Sequence, residues 1–532
     1  MRPNVAAVLL AIAIALAAIG TPTSAPAQPM ADTLTWGEDR DMRTLDPRVT
    51  QSRHETQVIM QVFDSLMFMG NDGKIYPWLA ESWQFAPDGL SITMKLRRGV
   101  RFHDGTPFNA EAVKFTFDSI VDPKLGSQAA IDLLGPYKST EVLDPYTVRI
   151  NWTRRYGPAL INFTTANLGI VSPAAVKRLG DDAFSRAPVG SGMYKFVEWT
   201  PRVQIVLERN EQYNWAPTVF KHKGAPRIRR LVSRFILDDS TRVAALEKRE
   251  IDVAESVPAI EVRRFRGSQN FDVMLGEVTG FPETLMFNLR KAPTDDIRVR
   301  KAIMHAVNRP QLVEQLFFGL KKPVYSILAP KTPGHWPEAE KLYPYDQAKA
   351  RQLLEESGWK AGPDGVRAKG GQRLEVFYRA LVHPEVATAV QAAVKDVGIQ
   401  MSVESVTKAK QDEQILANDY HILSLSWSAV EPSLLSIVFH SRNIPRPGKF
   451  GFNWNQIASP ELDRMLAQSD STTDPARRRE ILVAIQKFVL DRALAFPIHP
   501  NLQATGFHRS VRDLTFAANW YNVWFYDASI SR

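Results

Sequence analysis

Residues 373–427 read RLEVFYRALVHPEVATAVQAAVKDVGIQMSVESVTKAKQDEQILANDYHILSLSW, and the spacing of their apolar positions switches repeatedly between two periods. In Arg373–Tyr378 the bulky residues Val376, Phe377 and Tyr378 cluster as they do in a strand. Val386, Val390, Ala393, Val394 and Val397 then recur at helical spacing, and Gly398 is placed to end that helix. Ile399, Met401 and Val403 alternate with polar residues, which predicts a second strand. Lys408–Asn418 reads as another helix and His421–Trp427 as a further apolar strand. Strand, helix, strand, helix, strand at this spacing predicts parallel β-structure with right-handed crossovers. Ligands of such sheets sit beyond the carboxyl ends of the strands. Trp427-Ser428-Ala429-Val430-Glu431 is therefore expected to wall a pocket.

More helices flank this unit. Asp295 and Asp296 can cap a helix carrying Ile297, Val299, Ile303, Ala306 and Val307. Asp346 opens one with Ala350, Leu353 and Leu354, closed by Gly358, and Ser459-Pro460 and Asp474-Pro475 are cap-plus-proline starts. The N-terminal half instead shows short alternating stretches (Leu34–Trp36, Ser91–Leu96, Tyr146–Ile150, Val203–Leu207) separated by Gly, Pro and Asp-Gly turns. The fold class that follows is α/β, with a helical, parallel-sheet C-terminal lobe and a strand-richer N-terminal lobe.

Composition narrows the function. The chain has 532 residues, ordinary globular proportions (44% hydrophobic, 23% charged) and room for roughly three domains at ~150 residues each. Its net charge of +9 is mild for this length and its Arg pairs are scattered among acids, so no nucleic-acid stripe is formed. With no cysteine there is no disulfide, Cys-ligated zinc, iron–sulfur cluster, thiol nucleophile or lipid-modified N-terminal cysteine. Arg2, the fifteen apolar residues Val5–Ile19 and the small-residue site Ala25-Pro26-Ala27 form the pattern of a secretory signal peptide. That run falls short of the ~18–20 residues of a spanning helix. The expectation is residues 1–27 removed near Ala27, and a released periplasmic product without a lipid anchor.

Enzymatic constellations are missing. Gly365–Gly371 lacks the Lys-Ser/Thr of a phosphate loop, and His54-Glu55 has no second histidine after it. Gly190-Ser191-Gly192 lacks the glycine spacing of a nucleophile elbow. The ten histidines stand singly, without metal-ligand spacing. The pairs Asp181-Asp182, Asp238-Asp239 and Asp295-Asp296 sit at turns and helix starts, where capping explains them. No catalytic residue, metal or cofactor is nominated, and the chain is not expected to be an enzyme.

Several stretches carry a family likeness. Leu79-Ala80-Glu81-Ser82-Trp83, Pro87-Asp88-Gly89 and the run Val100-Arg101-Phe102-His103-Asp104-Gly105-Thr106-Pro107-Phe108-Asn109-Ala110-Glu111-Ala112-Val113 resemble the signature region of the family-5 extracellular solute-binding proteins. Pro188–Tyr194, Leu207–Tyr213, Ala245–Val253, Phe287-Asn288 with Asp296–Ile303, and Tyr345–Trp359 resemble that family's later motifs in the same order. The signature also reads as scaffold: Asp104-Gly105 is a turn, and Asn109 or Thr106 can cap the next helix.

The resemblance implies the large type II periplasmic-binding-protein fold, with two lobes, an extra subdomain in the first, and a hinge of two crossing strands near Glu283–Asn288 and Pro497–Gln503. The corresponding division is 28–282 for lobe one (75–196 being the extra subdomain), 283–502 for lobe two and 503–532 for a return to lobe one. It implies a monomeric receptor for a peptide or small-molecule solute, working with an ABC permease and ATPase by closing around its ligand. Among peptide-binding members an aspartate just after the Trp of the strand ending at Trp427 holds the peptide's amino group. Here the aligned position is Val430, with Glu431 taking its place if the loop is shifted by one residue. If Val430 lines the pocket, blocked peptides, opine-like conjugates, oligosaccharides or a metal chelate become the alternatives to a free peptide. An exported chaperone or sensor subunit is the alternative from another class. Candidate ligand contacts are Trp427, Ser428, Val430 and Glu431, then Ser52, Arg53 and His54 after the first strand, and Phe281, Glu283 and Thr284 beside the first crossing. Trp520, Tyr521 and Trp524 are expected to pack the C-terminal strand into lobe one.

Overall fold

The computed structural model describes residues 32–381, 383–518 and 522–531. The signal-peptide reading of residues 1–27, together with Trp520 and Tyr521, lies outside them. Two large sheets with separate cores organise the chain. The first has seven strands in the order Phe271–Glu277, Leu502–His508, Val253–Ala254, Thr33–Glu38, Arg230–Phe235, Gln204–Arg209, Tyr194–Thr200. The second has five, in the order Gln400–Ser405, Glu375–Ala380, Ile422–Ser428, Gly280–Phe287, Ala495–His499.

The stretch that predicted the fold forms the parallel part of the second sheet. Glu375–Ala380 pairs in parallel with both Gln400–Ser405 and Ile422–Ser428, and helices Pro384–Lys395 and Lys408–Leu416 make the crossovers. The carboxyl ends of these strands therefore lie side by side. Flanking helices start where short polar residues accept backbone N–H bonds: Asp296 from Arg298, Asp346 from Lys349, Thr407 from Lys410, Ser459 from Leu462 and Asp474 from Arg477. Each such cap contributes about 1 kcal/mol.

In the first lobe a four-stranded antiparallel sheet (Ala80–Phe85, Ser91–Leu96, Thr147–Trp152, Tyr137–Asp144) adds a layer under helix Ala110–Val121. The signature stretch is scaffold here. Asp104 accepts bonds from Thr106 and Ser172, and Asn109 caps the helix through the Ala112 N–H. Trp524, buried, meets Trp78 edge-on with ring centroids 6.0 Å apart.

The chain passes between the sheets twice, in very few residues. It leaves the first sheet at Glu277 and enters the second at Gly280; it returns between His499 and Leu502. The two passages are bonded to each other, the Val278 N–H donating to the Asn501 carbonyl at 2.8 Å. The first passage thus precedes the expected Glu283–Asn288. That stretch belongs to a strand buried at every position and flanked by a partner on each side. Gly280 opens this strand at φ +113°, and a Cβ there would lie 2.2 Å from the Trp427 carbonyl oxygen, so only glycine fits.

Candidate functional site

A cleft of about 480 Å³ opens at the carboxyl end of Ile422–Ser428. Ser424 to Ser428, Lys408, Gln411, Phe452 and Trp454 line it from the second lobe, and Gln51 and Arg53 face them from the first. Its position is the one that a parallel sheet assigns to a ligand. Trp427, partly exposed, stands edge-on to Phe452 with centroids 4.8 Å apart, and Phe452 leads on to Trp454 at 6.0 Å. Phe452 and Trp454 were missed in the sequence. Their signal was the alternation of Phe450, Phe452 and Trp454 within a Gly/Asn-rich stretch.

On the opposite wall, Ser52 caps helix Arg53–Val62 by accepting from the His54 N–H, so the helix begins at the cleft. Arg53 is steered by Glu255 (3.3 Å) and Asn522 (3.2 Å). His54 turns away to Asp39 (3.0 Å) and Glu38 (3.5 Å). Burial opposes charge on its imidazole, but hydrogen bonds donated to these carboxylates outweigh that and lift its pKa to about 9. Glu255 is pushed up by burial and by the neighbouring Glu38 charge, against the pull of Arg53. Glu38, His54 and Glu255 offer ligand atoms within 4.8 Å of one another, a grouping no local spacing could reveal. Arg53 and the His54 imidazolium already bring positive charge to these carboxylates.

The remaining candidates divide sharply. Ser428 lines the Trp427 cleft. Val430 instead faces a second cavity of about 630 Å³ with Thr279, Lys331 and residues 69–73. Glu431 is no free anion for a ligand. It is buried and paired with both terminal nitrogens of Arg478, and it accepts from the Ser433 N–H at 3.0 Å. The sequence offered Glu431 as an alternative to the missing aspartate; its partner here is Arg478, far along the chain. Phe281 and Thr284 are core residues. Phe281 packs on Phe439 at 6.0 Å, and Thr284 donates to the Pro282 carbonyl. Both belong to the interior strand that begins directly after the first passage.

Glu283 is buried behind the cleft, with the Ser424 and Ser426 hydroxyls and Lys321 near it. Burial pushes its carboxyl up to about 8, against the pull of those neighbours. The unfolded chain releases this proton near 4.5, whereas the native state keeps it to about 8. The native state therefore binds more protons in that window, and stability falls as pH rises through it. Glu283→Gln removes the titrating group. Its melting temperature relative to the unsubstituted protein is expected to rise steadily with pH across this window. A flat difference would show that Glu283 is ionised throughout.

The profile of bacterial extracellular solute-binding proteins, family 5, matches residues 74–443. The chain belongs to this family. The glutathione-binding protein GsiB of Escherichia coli strain K12 is 27% identical over 463 residues, covering 86% of each chain. NikA from Brucella suis, solved with Fe(III)-EDTA, superposes with a TM-score of 0.81 at 25% identity, over 94% of this chain and 99% of that one. The oligopeptide-binding protein AppA from Bacillus subtilis, solved with a nonapeptide, shares the fold with a TM-score of 0.72 at 20% identity, over 95% and 100%. Family-5 members are solute-binding proteins rather than enzymes, and no helix among the described residues is long and apolar enough to cross a membrane.

As a family-5 receptor, the protein has a second place where its lobes meet. The Gly157 N–H of the first lobe donates to the Asp470 carbonyl of the second at 2.8 Å. Around it, Ser436 donates to the Asp470 carboxylate, which burial pushes up to about 6.

Proposed function

We propose that this protein is the receptor of an ABC importer, holding a peptide or peptide-like solute between its lobes and delivering it to a membrane permease. The observation that carries this reading is a cleft lined from both lobes, with Arg53 on one wall and Trp427 and Phe452 on the other. A solute touching both walls stabilises the closed arrangement, and no bond in it changes. The relatives support the solute class, since GsiB is named for glutathione and AppA was solved with a peptide. With Val430 outside the cleft and Glu431 paired to Arg478, a free amino terminus has no anchoring carboxylate at the aligned position. We further propose an exported, periplasmic monomer, cleaved near Ala27 and not lipid-anchored, with lobe one formed, among the described residues, by those before 278 and those after 501.

Thermal unfolding of the ligand-stripped protein against glutathione, free and N-blocked peptides, opine-type conjugates, oligosaccharides and nickel chelates tests this. A ligand at 100 times its Kd adds about 2.7 kcal/mol. Trp427→Ala is expected to cost about 2 kcal/mol of binding, as buried aromatic anchors do, which is roughly a 30-fold loss of affinity. An unshifted melting curve across the whole panel would remove the reading.

A further inference from the structure

Among the side chains lining the cleft, Gln411 stands apart. It lies on helix Lys408–Leu416 and is 0% exposed, and neither its amide nitrogen nor its amide oxygen has a hydrogen-bond partner. A buried amide left without partners is costly, and most buried polar groups are satisfied. Here the free donor and the free acceptor sit at the edge of a solute cavity beside the Trp427 wall.

We propose that Gln411 is a specificity residue that reads an amide of the solute, and this rests on the receptor reading above. A side-chain amide carries two N–H donors and two acceptor lone pairs in one plane, and along one edge it sets one donor beside one acceptor. An extended amide-linked residue offers the complement, because its own N–H and C=O point to the same side. Pairing the two leaves no atom of Gln411 unsatisfied. A chelate face built of carboxylates supplies acceptors only, and would strand the Gln411 oxygen. A site whose buried polar groups must be matched rejects ligands lacking the partner much more strongly than an apolar pocket does. The solute class is thus peptides and peptide-like conjugates with an amide at this depth, γ-linked ones included.

The test combines a ligand-free and a ligand-bound measurement on Gln411→Leu. In the stripped protein the leucine variant should melt at the same temperature as the unsubstituted protein or above it, because it removes an unpartnered amide. A lower melting temperature, together with unchanged solute binding, would make Gln411 a structural residue and overturn the proposal. In titrations with glutathione and tetra-alanine, the variant should bind at least tenfold more weakly. A depsipeptide analogue, with ester oxygen in place of the amide N–H, should bind the unsubstituted protein more weakly than the amide and lose less in Gln411→Leu, because only its carbonyl still pairs with Gln411. Equal losses for amide and ester would overturn the proposal. If a nickel–histidine chelate or an oligosaccharide binds while no amide solute does, the amide reading falls and the receptor reading stands. Silence from every solute would take both away.

Discussion

Gly157→Val is expected to weaken solute binding by about 5–150-fold while the ligand-free protein melts where it did before. A Cβ at this position would lie 2.2 Å from the Thr472 carbonyl oxygen and 3.2 Å from that of Ser469. These are backbone atoms of the opposite lobe and cannot swing aside as a side chain would. Overpacking of this kind costs about 1–3 kcal/mol, and the cost exists only where the lobes meet. It is therefore charged to the closed state, and apparent affinity falls by the corresponding factor. Calorimetric titration with any solute that binds the unsubstituted protein gives the factor, and small-angle scattering should show the bound variant more open. Unchanged affinity would mean that the Gly157–Asp470 contact is no part of closure.

Arg478→Ala should have the largest effect on stability. It leaves Glu431 buried and charged, with Asp470 close by. Breaking a buried ion pair from one side costs about 3–5 kcal/mol. For a lobe of this size that corresponds to roughly 6–20 °C in melting temperature. The double variant Glu431→Gln with Arg478→Met should recover most of the loss, since removing both charges removes the desolvation penalty. Differential scanning calorimetry separates this from a binding role. If Glu431 served the solute, Glu431→Gln would abolish binding and hardly move the melting curve.

What could be read from the sequence follows the range of the interactions involved. The strand–helix alternation over 373–427 is local, carried by residues such as Val386, Val390 and Val394, and the sheet formed as that pattern dictates. Cap residues are local too, and Asp296, Asp346, Ser459 and Asp474 all cap. Trp427 could be placed because a topological rule fixes where strand ends point. The passage at 278–279 escaped notice because the family resemblance put the crossing only approximately, near Glu283–Asn288, and the mostly apolar run Gly280–Phe287 gives no local sign of where the chain changes sheets. Glu431 was ambiguous because its partner Arg478 is remote in sequence. Gln411 gave no signal at all. A glutamine in a polar helix is unremarkable until the fold buries it without a partner.

The return strand Leu502–His508 has one further consequence, for the order in which the chain can assemble. It lies between Phe271–Glu277 and Val253–Ala254, so the first sheet lacks an interior member until nearly the whole chain exists. The second sheet draws only on residues 280–499 and is complete earlier. A growing chain ordinarily folds its N-terminal domain first; this one must leave the lobe it begins with unfinished until its end emerges. Through most of its synthesis the first lobe thus keeps unpaired strand edges and an incomplete core, even after the second lobe has every strand of its sheet.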